Sequence, residues 1–427
     1  MKVTKHAQQF SIRMTTLSSA MALAAPMAMA APQTLELWRH ETGNIAEIEV
    51  SKAAVERFNR SQERWRVEMS MIPEGSYTET VTSAAVAGDL PCLLYIDQPV
   101  APNFAWAGFL QPLDGLVDQA ALDGLIDTAK GTYDGRIYSA GQYEVALSLL
   151  SRRSVLEAQG IRIATLDEPW SKAEFLDALE TLKASGDFLY PLDLQAGWSG
   201  EWYSYAFGPW LVSFGGDQID RSNYRYAEGV LNGEEAVAWG DFFQSLFDEG
   251  LVDRNPSDDR GFVQGRVAIN YGFLEPSAYP DEWGDDLVVM PVPDFGHGSV
   301  IGGGSWHTGI TTACESPEGA AEFIEFQLQP EEIAAMSEGA GMIPASEAGA
   351  ALTEHYREGG QWRFFYDYSE ARAQLRPETP AYPIISSVFE RAARDIRDGG
   401  DVQAALDEAV DAIERNIADN HGYGMDE

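Results

Sequence analysis

Lysine is scarce in this 427-residue chain: six stand among 29 basic side chains, against 67 aspartates and glutamates, for a formal net charge of −38. A surface so poor in clustered cations repels phosphate backbones and anionic lipid, which argues against a nucleic-acid partner. An acidic chain with few lysines suits salty surroundings, where counterions screen its self-repulsion. That halophile or marine reading concerns habitat, not activity. Cysteine is nearly absent, with only Cys92 and Cys314. In an oxidising compartment the two can pair, but from residues alone two free thiols packing as small hydrophobes remain the alternative. Beyond the first thirty residues no apolar run approaches the roughly 20 residues needed to span a bilayer.

The usual catalytic signatures are missing as well. There is no G-K dipeptide, hence no phosphate-cradling P-loop. Gly302-Gly303-Gly304-Ser305-Trp306-His307 begins like a nucleophile elbow, but His307 stands where the closing glycine belongs. His40-Glu41 opens a zincin-like motif that lacks its second histidine. No C-x-x-C occurs, and the six histidines have no zinc-ligand spacing. Pairs such as Asp285-Asp286 follow from the acidic composition and do not nominate a glycosidase dyad. Neither an enzyme nor a metal or cofactor is expected.

What is present begins with the first thirty residues. Lys2, Lys5 and Arg13 precede any acid, a small and apolar run follows from Met14 to Ala25, and Ala28-Met29-Ala30 closes the segment. This order is that of a secretory signal peptide with an A-x-A site, predicting a mature chain that starts at Ala31. No cysteine lies close behind that site, so a lipid anchor is not expected and a free periplasmic protein is. From Ala31 strands and helices alternate. Thr34 to Trp38, Trp65 to Ile72 and Leu93 to Ile96 read as strands, and Ile45 to Asn59 and Tyr77 to Ala87 as the helices between them. The βαβαβ order predicts a doubly wound open sheet. A second α/β region follows, with a capped helix over Ser171 to Ser185, a strand over Leu189 to Leu194, and further helices over Glu234 to Glu249, Glu318 to Gln327 and Val402 to Ile417. Arg266 to Tyr271 and Leu287 to Met290 read as short strands.

Aromatic residues stand out beside glycines and strand ends. Trp38 ends the first strand, Trp198 lies in GWSGEWY, Phe273 follows AINYG, and Trp306 follows three glycines. Open α/β sheets bind ligands at the carboxyl ends of their strands. Flat rings there offer apolar faces to sugar C–H groups, while neighbouring polar side chains satisfy hydroxyls. Core packing is the competing reading for every tryptophan, and the favoured one for Trp38, Trp65, Trp170 and Trp239.

Six segments in order then resemble the family 1 extracellular solute-binding proteins, the group that includes maltose-binding protein. They are LELWRHETG (35–43), AVAGDLPCLLYID (85–97), GFLQPLD (108–114), YEVALSLLSRRSVLEAQGI (143–161), GGGSWHTGITTACESPEGAAEFIEF (302–326) and LRPETPAYPIIS (375–386). Cys92 departs from the usual aspartate of the second, and Arg152-Arg153 from a common Asn-Lys in the fourth. The resemblance implies a two-lobed α/β periplasmic-binding-protein fold of type II, with doubly wound sheets joined by a multi-segment hinge. Residues 31–142 with 302–346 would form one lobe and 143–301 with 347–427 the other, the chain crossing near 141–144, 301–305 and 345–350. It further implies ligand contacts at Trp38, His40, Glu41, Thr42, Tyr77, Asp97, Gln98, Tyr143, Glu144, Trp198, Phe273, Trp306 and Arg376. For Glu41, Glu144 and Arg376 a surface ion pair is the alternative. In this family the strand ending at Cys314 runs antiparallel beside the one that Cys92 opens, which brings a disulfide within reach. The implied function is capture of a mono- or oligosaccharide in the periplasm and delivery to an ABC permease of the inner membrane, by a monomer. A glycerol phosphate, polyol, anionic sugar derivative or polyamine stays open as ligand. A secreted glycoside hydrolase is the rival class.

Overall fold

The structure, a computed structural model, describes Met1, residues 31–273 and residues 279–424. Apart from Met1, the expected signal segment and its cleavage site lie outside the described residues.

Strands β1 (Gln33–Glu41), β2 (Trp65–Pro73) and β3 (Leu93–Asp97) are parallel, with β1 in the middle. Alternation in β1 buries Leu35 and Leu37 on one face, while β3 is apolar on both. The connecting helices run over Ile45–Ser61 and Glu74–Ala87. The first starts where Asn44 accepts a hydrogen bond from the Glu47 backbone N–H, filling one of the unpaired donors of a helix start. The sheet is then extended by antiparallel strands. Introducing β4 (Leu110–Gln111), β5 (Lys130–Tyr133), β6 (Arg136–Ala140) and, much later in the chain, β13 (Trp306–Thr311), the order among the described residues is β2-β1-β3-β13-β6-β5, with β4 also on β13. The doubly wound start is therefore correct, and the sheet as a whole is mixed.

Between β6 and β13 lies a second body. Its sheet has the order β11-β8-β10-β9, from β8 (Leu147–Arg152), β9 (Tyr190–Asp193), β10 (Val267–Phe273) and β11 (Leu287–Met290). The helix Lys172–Ser185 carries the capping box read from Ser171 and Glu174. One element corrects the sequence reading. GWSGEWY is loop only to Gly200, and a helix runs from Glu201 to Phe214. Twelve of its residues are buried, so it has no polar stripe to betray a helical period, and Pro209 sits inside it. It packs against the helix Tyr382–Arg397 and the helix Glu234–Asp248, around Trp170, Trp210 and Trp239.

The chain passes from the first sheet to the second through β7 (Tyr143–Glu144), which pairs with β14 (Ile343–Pro344). It returns through β12 (Ile301–Gly303), which pairs with β15 (Ala373–Leu375). Cys92 precedes β3 and Cys314 follows β13; these strands are antiparallel, and the two residues are joined as a disulfide with Cα atoms 4.0 Å apart. No helix among the described residues is long and apolar enough to cross a membrane.

Candidate ligand-binding site

Two aromatic groups are built at strand ends, one on each sheet. In the first sheet β13 runs antiparallel to β3, so its opening residue Trp306 sits opposite Asp97, the last residue of β3. Trp306 thereby joins the carboxyl ends of the parallel strands. Its ring stacks on His40 at 3.7 Å between centroids and on Tyr95 at 5.6 Å, with Tyr77 edge-on at 5.7 Å. Trp38 packs beside them, its indole N–H donating to Glu36 at 2.8 Å. His40 is 3% exposed. Burial, and then the nearby Arg39 cation, push its pKa down to about 3, so the ring is neutral.

In the second body β9 and β10 are parallel neighbours, with Asp193 beside Asn270. After β9 the loop turns at Gln195, which holds a left-handed φ of 53° and takes its N–H bond to Asp193 at 2.7 Å. Gly200 then adopts φ 70° and ψ −135°, a backbone that essentially only glycine reaches, and the next helix begins. Trp198 is thus presented outward, 38% exposed, with its ring 4.8 Å edge-on to Trp202. Trp202 meets Phe273 at 5.8 Å, and Phe273 stacks on Tyr205 at 5.9 Å. Arg397 anchors this loop from beneath by donating to the Ala196 carbonyl at 2.8 Å.

Between the two groups lies a buried charge network. The Arg376 guanidinium forks onto Asp97, at 2.7 and 2.9 Å, and also donates to Glu201 at 2.9 Å and the Gly304 carbonyl at 3.0 Å. Burial opposes its charge, but Asp97, Tyr382 and Glu201 outweigh that, and its pKa stands well above the usual value. Asp97 is pushed up to about 6 by burial, against the pull of Arg376. Glu144 is fully buried and accepts from the Val145 N–H at 2.8 Å and the Gly304 N–H at 2.9 Å. Burial drives it up to about 7.

The thirteen residues singled out from sequence thus occupy different stations. Trp38, His40, Tyr77 and Trp306 form the first aromatic group, and Trp198 and Phe273 belong to the second. Asp97, Glu144 and Arg376 make the network between them, so Glu144 and Arg376 are buried and not the surface ion pairs weighed as alternatives. Gln98 and Tyr143 lie under the surface. The Gln98 backbone N–H donates to Ser305 at 2.9 Å, and the Tyr143 hydroxyl donates to Glu47 at 2.8 Å. Glu41 is exposed, and the Thr42 hydroxyl accepts from the Asn44 N–H at 2.9 Å, shaping the turn into the first helix. Tyr95, Glu201, Trp202, Tyr205 and Tyr382 were missed. An aromatic hydroxyl inside the apolar run LLYID, and tryptophan and tyrosine three apart at 202 and 205, are the signals that could have found three of them.

Residues 53–360 match the model of the family described as bacterial extracellular solute-binding protein. The chain belongs to that family. Its members bind solutes outside the cytoplasm and are not enzymes. Among curated relatives, an uncharacterised lipoprotein of Streptomyces antibioticus is 23% identical over 317 residues, covering 70% of this chain and 67% of its own. Solved solute-binding proteins share the two-lobed fold. The GacH receptor of Streptomyces glaucescens, solved with acarbose, aligns with a TM-score of 0.76 at 20% identity, over 91% of this chain and all (100%) of its own. The cyclic alpha-maltosyl-1,6-maltose binding protein of Arthrobacter globiformis aligns at 0.74 and 22% identity, again over 91% and 100%.

Proposed function

We propose that this solute-binding protein captures a neutral mono- or oligosaccharide between its two aromatic groups and hands it to an ABC permease. The observation that carries the reading is the placement of Trp306 and Trp198 at strand ends of two different sheets, with one ring stacked on a neutral histidine and the other outward from a glycine-bounded loop. Rings at strand ends offer flat apolar faces on which the C–H faces of sugars can pack. A neutral ligand is favoured over an anionic one because the cations that could meet an anion are spent: Arg376 is committed to two carboxylates and His40 is uncharged. Ligands named for the structural relatives, acarbose and a cyclic maltosyl-maltose, point the same way. Trp38, Trp198, Phe273 and Trp306 are proposed as ring contacts, with His40 backing Trp306 from beneath.

The same reading proposes export with cleavage after Ala30 and a periplasmic monomer without a nucleic-acid partner. A thermal-shift screen over neutral sugars, polyols, glycerol phosphates, sugar acids and polyamines tests the ligand class. A bound ligand at 100 times its Kd stabilises the fold by about 2.7 kcal/mol. A response confined to charged ligands would refute the neutral-sugar reading, and turnover of chromogenic glycosides would refute a binding-only role.

A further inference from the structure

Arg376 was expected to touch ligand, yet its bonds run elsewhere. Two of its partners come from the two different bodies. Asp97 is the last residue of β3, at the carboxyl end of an interior strand of the first sheet, opposite Trp306. Glu201 is the first residue of the helix that follows the Trp198 loop, on the second body. Gly304, whose carbonyl takes a third bond, lies in the returning segment between β12 and β13. Arg376 itself directly follows β15, the strand that pairs with β12. One guanidinium therefore ties together the end of β3, the start of the Glu201–Phe214 helix and the segment that joins the two bodies.

From this geometry we infer that Arg376 is an inter-lobe clamp: a positioning residue whose shared pairing with Asp97 and Glu201 holds the lobes together, not a ligand contact. Opening the cleft must draw the end of β3 away from the start of the Glu201–Phe214 helix, so one of the two pairs has to break. The arginine is 5% exposed, and Asp97 is 13% exposed. Water compensates a broken pair poorly there, because an unpaired buried charge keeps its desolvation cost. Glu201 is better placed to let go, being 42% exposed. It is held back by two hydroxyls that donate to it, those of Tyr382 and Ser386, both on the helix Tyr382–Arg397 of its own body. The weak joint is thus Arg376 to Glu201, and opening should break there while Arg376 stays forked on Asp97. Tyr205, whose ring lies 5.1 Å from the guanidinium, connects the clamp to Phe273 and so to the second aromatic group.

This inference builds on the binding-protein reading, but its main test uses no ligand. Small-angle X-ray scattering of the ligand-free protein should give a larger radius of gyration for Arg376→Met and Glu201→Gln than for the wild type, with Arg376→Lys between, because an ammonium cannot fork. Should Arg376→Met fail to fold, Glu201→Gln carries the test, since a half-exposed carboxylate tolerates an amide. In stopped-flow fluorescence with maltotriose, the two charge-removing variants should release ligand about tenfold faster with association little changed. Folded variants with the wild-type radius of gyration would overturn the clamp. Loss of maltotriose affinity in Arg376→Met at an unchanged ligand-free radius would return Arg376 to the ligand contacts. If the wild type binds no sugar at all, the sugar reading fails while the scattering comparison still decides the clamp.

Discussion

Glu144 offers a test of the buried network through pH. It is fully buried at the first crossing, and its two oxygens are met by the backbone N–H groups of Val145 and Gly304. Those bonds favour the charged form, yet burial outweighs them and raises the pKa from 4.5 to about 7. The sign follows from proton binding. Between these two values the folded state holds more protons than the unfolded chain, so the group's contribution is fully present below about pH 4.5 and is lost as pH rises through about 7. At about 1.4 kcal/mol per pKa unit the whole window amounts to roughly 3 kcal/mol, most of it between pH 5 and pH 8. Many other carboxylates titrate, so the assay is a difference. Urea unfolding of the wild type and of Glu144→Gln is compared at pH 5, 6, 7 and 8. Glutamine also loses one of the two backbone acceptors, but that offset does not depend on pH. The wild type should lose roughly 2–3 kcal/mol relative to the variant from pH 5 to pH 8. A constant difference across that range would refute the argument and mean that Glu144 is ionised throughout.

Other outcomes follow from the same structure. Trp198→Ala and Trp306→Ala should each weaken sugar binding by about 2 kcal/mol, more than tenfold, with little change in the ligand-free Tm for Trp198; unchanged affinity would remove them from the site. Trp239→Ala, which empties a fully buried position, should instead destabilise the free protein by about 3–5 kcal/mol without a specific effect on affinity. Protein recovered from a periplasmic extract should begin at Ala31 by mass spectrometry, and an intact Met1 to Ala30 segment would count against export. Thiol titration of the denatured, unreduced protein should find neither Cys92 nor Cys314 free, and two reactive thiols would contradict the disulfide.

Where local pattern and tertiary role coincide, the sequence was informative. Leu35, Leu37 and the apolar run of β3 announced parallel strands, and Ser171 with Glu174 announced a helix start, because a period of two and a capping box are local properties. The Glu201–Phe214 helix escaped for the opposite reason. Apolar on every side and interrupted by Gly208-Pro209, it carries no amphipathic period, and its helical state follows from burial between other elements. The mixed character of the first sheet was hidden too, since β13 enters it from more than 160 positions beyond β6 in the chain, with only the family resemblance to say where it lands.

The candidate site divides along the same line. A ring beside glycines at a strand end can be recognised from its neighbours, and Trp198, Phe273 and Trp306 stand where that reasoning put them, at strand ends of the two sheets. A charge has no such local mark. Arg376 meets Glu201 across 175 residues and Asp97 across 279, so its three bonded segments converge only in the folded chain. An arginine in a sugar-binding motif invites assignment to the ligand, but a guanidinium with both terminal nitrogens committed to carboxylates has little left to offer a hydroxyl. What the sequence could not convey is which charges are already spent. On the proposed reading that distinction leaves recognition to the ring faces, because Arg376 is already paired with Asp97 and Glu201.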